Sequence, residues 1–181
     1  MTGSALIALG TNLPHRGVSG PALLVQAIEA LKQAGLPSRR HSGVWETEPW
    51  PPSLREAGQH AFFNAVVEVD PGDRAPQALY ALLREIEIAF GRERRERWGP
   101  RTLDLDLLSV DGFAGVFGGA GAGPVVLPHP RLQERAFVLG PLGEVAPDWL
   151  HPILQATPAE MLRLLGENQG ARLLGPLPGA G

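Results

Sequence analysis

The chain has no cysteine, one lysine (Lys32), and no apolar run near the roughly 20 residues that cross a bilayer. Without cysteine there is no disulfide, no thiolate nucleophile and no zinc site built on thiolates. Lys32 falls inside an apolar-periodic segment with no glycine-rich loop before it. A P-loop, which needs a lysine directly after its glycines, is therefore excluded. The start, Met1-Thr2-Gly3-Ser4, lacks the basic residues and long apolar run of a secretory signal, so a cytoplasmic location is expected. With a formal net charge of -3, a general attraction to nucleic acid is not expected either.

What is present is a chain of 181 residues with 44% hydrophobic content, enough for a single domain spanning 1–181 with a real core. Positive charge is concentrated in one place, where Arg92, Arg94, Arg95, Arg97 and Arg101 crowd together. They lead into Arg97-Trp98-Gly99-Pro100-Arg101-Thr102-Leu103-Asp104-Leu105-Asp106. Read as loop then strand, this run puts Asp104 and Asp106 on one face and Leu103, Leu105 and Leu107 on the other, in a core. Two carboxylates side by side repel unless a cation sits between them. A divalent ion with phosphates beside the arginines satisfies that arrangement.

Patterning supplies the frame. Strands are expected at Ser4–Leu9, Ser42–Thr47, Phe62–Val69 and Thr102–Val110. Helices are expected at Ala22–Ala34 and from an N-cap at Asp73 to about Phe90. The order strand, helix, strand, strand, helix, strand is that of a ferredoxin-like α+β antiparallel sheet. Beyond it, Gly112–Gly123 reads as a flexible surface excursion, and Val125-Val126-Leu127 as a short strand. A short helix is expected within Pro130–Leu139. Thr157-Pro158-Ala159-Glu160 reads as a capping box, and the tail from Gly170 as loosely ordered.

The 97–106 run resembles the central motif of the 6-hydroxymethyl-7,8-dihydropterin pyrophosphokinase family. Four further motifs follow the same family in order: Ala8-Leu9-Gly10-Thr11-Asn12-Leu13, Thr47-Glu48-Pro49, Phe63-Asn64-Ala65, and Pro128-His129-Pro130-Arg131 ahead of Arg135-Ala136-Phe137. The resemblance implies a ferredoxin-like sheet in an α/β/α sandwich. It implies transfer of pyrophosphate from ATP to the pterin hydroxymethyl group, giving AMP and the pterin diphosphate in folate biosynthesis. Asp104 and Asp106 would hold two Mg2+ ions. Arg92, Arg97 and Arg101 would act on the phosphates during catalysis. Glu87, Arg92, Arg94, Trp98, Arg101, His129 and Arg135 would contact ATP.

The loop between Arg92 and Arg97 is one residue shorter than in enterobacterial members, so either Arg94 or Arg95 can be the residue that reaches in. Glu87 has an alternative reading as a plain exposed helix glutamate. For the pterin, the family pattern gives Gly10, Thr47, Pro49, Phe62, Asn64, Trp98 and Phe137, with Phe62 and Phe137 sandwiching the ring. Phe62 stands where a tyrosine is found, and Pro130 replaces an aromatic neighbour of His129. The loops Gly10–Pro21, Glu48–His60 and Arg92–Arg101 would close over the substrates. The expected partners are small molecules only, with no nucleic acid or membrane, and the chain is expected to be a monomer. The rival reading is a nucleic-acid-binding ferredoxin-like module, against which stand the acidic net charge and the lack of an aromatic RNP-type strand.

Overall fold

The computed structural model describes residues 3–48, 58–91, 102–118, 123–166 and 170–178. Pro49, Arg92, Arg94, Arg95, Arg97, Trp98 and Arg101 lie outside the described residues, as do most of the 48–60 loop and all of the 92–101 loop.

A central strand, β1 (Ala5–Thr11), is buried along most of its length because nearly all its side chains are apolar. It pairs antiparallel with β4 (Phe62–Val69) on one side and with β5 (Asp104–Val110) on the other. Next to β4 the chain lays down β2 (Ser38–His41) and β3 (Val44–Thr47), both antiparallel to it. Ser42 and Gly43 separate these two pieces. The expected single strand at Ser42–Thr47 is thus two shorter strands, and Ser42 bonds across to β4 at Val66 through both its backbone and its hydroxyl. Along its main path the sheet runs β5-β1-β4-β3-β8, where β8 is Ala171–Gly175. The tail expected to be loosely ordered therefore adds an edge strand beside β3.

Strand alternation sends side chains to two faces, and each face is covered by helices. On one face, α1 (Pro21–Gln33) and α2 (Pro76–Ala89) present Leu24, Leu31, Leu79, Leu83 and Ile86 to Ile7, Leu9, Val67, Leu103, Leu105 and Leu107. The three leucines around the aspartates are in the core as the spacing predicts. Helix α2 begins at Pro76 with Ala75 as its N-cap, two residues beyond Asp73. Proline suits a first helical turn, where its missing N–H costs nothing.

On the other face, α3 (Ala136–Val145) and α4 (Pro158–Leu164) cover Leu6, Val66 and Leu108 with Val138, Leu139, Leu142, Val145 and Met161. Helix α3 runs past the expected end at Leu139, through a buried Pro141, after a single 3-10 turn at Leu132–Glu134. Its close approach to the sheet depends on Gly140, where a Cβ would lie 2.6 Å from the Trp45 ring. The Trp45 indole N–H donates to Glu144 from the same helix. Helix α4 opens with the expected capping box: Glu160 N–H donates to Thr157 Oγ1, and Thr157 N–H to Glu160 Oε2. The glycine-rich segment expected as an excursion contains β6 (Gly115–Phe117), which pairs with β7 (Val125–Leu127) as a two-stranded sheet. The layers are helix, sheet, helix, which is the α/β/α sandwich expected.

Candidate active site

The helix-covered apolar layer under α3 and α4 stops before the strands do. At that end of the sheet a shallow cleft opens, lined by Ala8, Leu9, Gly10, Asn64, Asp104, Asp106, Phe137 and Val138. Register explains the lining. Gly10 on β1 lies opposite Asn64 on β4 and opposite Asp104 on β5, and Ala8 lies opposite Asp106. Residues directly opposite in an antiparallel sheet share a face, so one row reads Asp104, Gly10, Asn64 across three strands. Gly10 is the floor. A Cβ there would lie 3.2 Å from Asn64 Oδ1 and 4.0 Å from the Asp104 Cβ.

At the β4 end the polar groups are neutral. Asn64 is 5% exposed, and its Nδ2 donates to Thr47 Oγ1 at 2.9 Å and to the Trp45 carbonyl at 3.4 Å. Both donors of the amide are held from behind, which orients its oxygen as the group presented toward Gly10. Thr47, expected to line the slot, fixes Asn64 from the neighbouring strand. Phe137, at the start of α3, forms part of the wall. Phe62 is half-buried and shares a strand face with Asn64, but it is not part of the cleft lining. The two phenylalanines are on the same side of the sheet.

The β5 end is ionic. Arg135 Nη1 donates to Asp106 Oδ2 at 2.8 Å, His129 Nε2 lies 3.9 Å from the same oxygen, and Arg84 Nη2 lies 3.9 Å from Oδ1. Burial alone would raise the Asp106 carboxyl pKa. The positive charges around it (His129 when protonated, then Arg135 and Arg84) outweigh burial and hold it below the usual carboxylate range. His129 itself is pushed down, first by burial and then by Arg135 and Arg131, against the pull of Asp106 and Asp104. It is therefore neutral at pH 7, and the persistent counter-charge on Asp106 is that of the arginines. The His129 Nδ1 accepts the Arg131 N–H at 3.2 Å, which leaves the ring proton on Nε2, facing Asp106.

Two further residues complete this end. Glu87 is 1% exposed, so it is not the exposed helix glutamate of the alternative reading. Its Oε1 accepts the Leu105 N–H at 2.7 Å, and its Oε2 lies 2.6 Å from Arg84 Nη1. Arg84 had no place among the expected site residues. One signal in the sequence points to it: Arg84 and Glu87 are three apart on a helix, where side chains meet. Its approach to Asp106 is tertiary and has no local signature.

The family model for 7,8-dihydro-6-hydroxymethylpterin-pyrophosphokinase (HPPK) matches residues 6–147. The chain belongs to this family. A 2-amino-4-hydroxy-6-hydroxymethyldihydropteridine pyrophosphokinase of Methylorubrum extorquens is 37% identical over 145 residues, covering 80% of this chain and 83% of that one. The protein of the same name from Bacillus subtilis is 36% identical over 146 residues, covering 80% and 79%. Among solved structures, Plasmodium falciparum HPPK-DHPS with pteroate superposes with a TM-score of 0.72 at 12% identity. It covers 96% of this chain and 48% of that one, a likeness of fold. Membership in HPPK does not favour the nucleic-acid-binding alternative.

Proposed function

We infer that the protein is an ATP-dependent pyrophosphokinase that moves the pyrophosphoryl group of ATP onto the hydroxymethyl oxygen of 6-hydroxymethyl-7,8-dihydropterin, releasing AMP. The observation that carries this reading is the Asp104–Gly10–Asn64 row, which puts an anionic end and a neutral hydrogen-bonding end on one cleft floor. A fused, flat, polar-edged ring suits the neutral end. The Asn64 oxygen accepts from an N–H on the ring edge, Phe137 offers an aromatic face, and Gly10 leaves room for the ring to lie on the sheet. Phe62 joins Phe137 on the same side when the slot is filled. Pro49 and Trp98 belong to the pterin side of this proposal by resemblance.

The ionic end suits the triphosphate. Asp104 and Asp106 form an all-oxygen donor pair, and the cations beside Asp106 hold that carboxyl ionised. That is the donor chemistry of a magnesium site completed by phosphate and water. Two Mg2+ ions held by these carboxylates would draw charge from the phosphate oxygens when bound with ATP. Arg135 turns from Asp106 toward a phosphate, and His129 donates its Nε2–H there without adding charge. Arg92, Arg97 and Arg101, with Arg94 or Arg95, grip the triphosphate as bidentate donors. Glu87 serves ATP binding from behind β5, through Leu105 and Arg84. A soluble, monomeric, cytoplasmic enzyme is part of the proposal. Among the described residues no helix is long and apolar enough to cross a membrane.

The test is a product analysis with protein, Mg2+, ATP and the pterin. AMP formed only when pterin is present supports the reading. ADP, or ATP loss without pterin, overturns it.

A further inference from the structure

We propose that Arg84 and Glu87 are a pair of positioning residues that aim the Asp104 and Asp106 carboxylates by clamping the peptide groups of Leu105 between them. The proposal rests on the reading of those aspartates as the metal-holding pair. Among the described residues strand β5 is an edge of the sheet, with β1 on one side only. Leu105 is the residue between the two aspartates, and its N–H and C=O both face outward from that edge. The N–H donates to Glu87 Oε1 at 2.7 Å, and the C=O accepts from Arg84 Nη2 at 3.0 Å. Arg84 Nη1 and Glu87 Oε2 close the ring at 2.6 Å.

An open edge leaves backbone groups free to hydrate, twist or pair elsewhere. Here the one residue whose tilt sets the direction of both carboxylates is held at both polar groups by a single helix. The pair is costly to bury: Glu87 is 1% exposed and the Arg84 side chain 17%. A buried ion pair is seldom a gain in stability over apolar side chains of the same size, so stability alone does not account for it. The same guanidinium also faces Asp106 Oδ1 at 3.9 Å, so backbone and carboxylate are registered by one group. Residues behind metal ligands typically tune affinity by about 10- to 100-fold when removed.

The test measures Mn2+ binding, by electron paramagnetic resonance of the free ion, to enzyme saturated with α,β-methylene-ATP. Pterin affinity is followed in parallel by titration. Four proteins are compared: wild type, Arg84→Met, the double variant Arg84→Gln with Glu87→Gln, and Asp106→Ala. The double variant removes both charges yet keeps an acceptor for the Leu105 N–H and a donor for its C=O. The expected result is about a 10-fold weaker Mn2+ affinity in Arg84→Met with pterin affinity within about twofold, and recovery in the double variant to within about threefold of wild type. Unchanged Mn2+ affinity in Arg84→Met, a parallel loss of pterin affinity, or no recovery in the double variant would overturn the proposal. If Arg84→Met fails to fold around its unpaired Glu87, the double variant decides by the same threefold limit. Asp106→Ala separates the two claims: if it binds Mn2+ as wild type does, the metal reading fails, whereas its loss beside an unaffected Arg84→Met sinks the clamp alone.

Discussion

The same strands build two different faces. Under α1 and α2 the layer of Ile7, Leu9, Val67, Leu103, Leu105 and Leu107 is apolar along its length and closed by helix side chains. On the other face, Leu6, Val66 and Leu108 are covered by α3 and α4, and the layer then gives way to Gly10, Asn64, Asp104 and Asp106. Alternation thus lets one dipeptide step serve both purposes: Leu103 and Leu105 anchor the strand in a packed interior while Asp104 and Asp106 face the cleft. The site exists where helix cover ends, and it is held in place by the face that remains covered. Apart from Arg84 and Glu87, which reach from α2 around the edge of β5, changes on the two faces should therefore separate into lost chemistry and lost stability.

The sharpest separation comes from Asp106→Ala. On the cleft face it removes one of two carboxylates without opening the core, because the side chain is 23% exposed. We expect AMP formation to fall on the order of a thousandfold, about 4 kcal/mol in the barrier, with an unchanged circular dichroism spectrum. A variant that retains its rate removes this aspartate from the chemistry. The opposite case is Leu83→Ala on α2, fully buried against the other face. A cavity there should cost about 3 kcal/mol of unfolding free energy in a urea titration, with kcat in the folded fraction nearly untouched. A loss of kcat as large as that of Asp106→Ala would show that the faces are not independent.

How much of this was legible in the sequence follows the range of the interactions. The Asp104/Asp106 alternation, the Thr157–Glu160 capping box and the order of the first six elements are encoded over a few residues, and they appear as the patterning reads them, apart from the break at Ser42 and Gly43 that splits the second strand in two. The Ala171–Gly175 strand is not. Its pairing partner is β3, more than a hundred residues away, and Leu173 and Leu174 remain partly exposed, so no local alternation marks it. Helix α3 is obscured differently. Its apolar residues surround the helix almost completely, and Pro141 would usually end it, yet burial on both sides keeps it helical. The β6–β7 pair hides in a glycine-rich stretch whose composition suggests a loop. Glu87 shows the limit for the site itself. A glutamate on a helix carries no sign that a backbone N–H on another element needs it. The resemblance gave positions, whereas the reason for this residue type at 87 is visible only in the folded chain.

Within the cleft face, the neutral and ionic ends can be parted by Asn64→Ala. It deletes the acceptor presented beside Gly10 and the bond to Thr47, yet touches none of the charges on Asp106. We expect the KM for the pterin to rise about tenfold, roughly 1.4 kcal/mol, while the Mg2+ concentration for half-maximal rate stays put. A shift in the Mg2+ requirement of similar size would mean that the row across Gly10 couples the two ends.

The smallest effect tests whether the cover of the cleft face responds to pH. His151 lies in the turn between α3 and α4 and is 4% exposed. Its Nδ1 accepts the N–H groups of Ile153 at 3.3 Å and Leu154 at 3.2 Å, an arrangement open only to the neutral ring. Burial pushes its pKa below 6.5. Above 6.5 the folded and unfolded chains are both neutral at this residue, and its contribution is fully present. As pH falls below 6.5 the unfolded chain takes up the proton first, so stability declines until the lower folded pKa is passed. The variant His151→Asn keeps an acceptor near the Nδ1 position and removes the titration. The wild type should therefore lose more of its urea midpoint than the variant between pH 7.5 and 5.5, with no change in pterin KM at pH 7.5. Equal losses in the two proteins would show that this turn does not sense protons, and that the α3–α4 cover is as indifferent to mild acid as the packed layer on the opposite face.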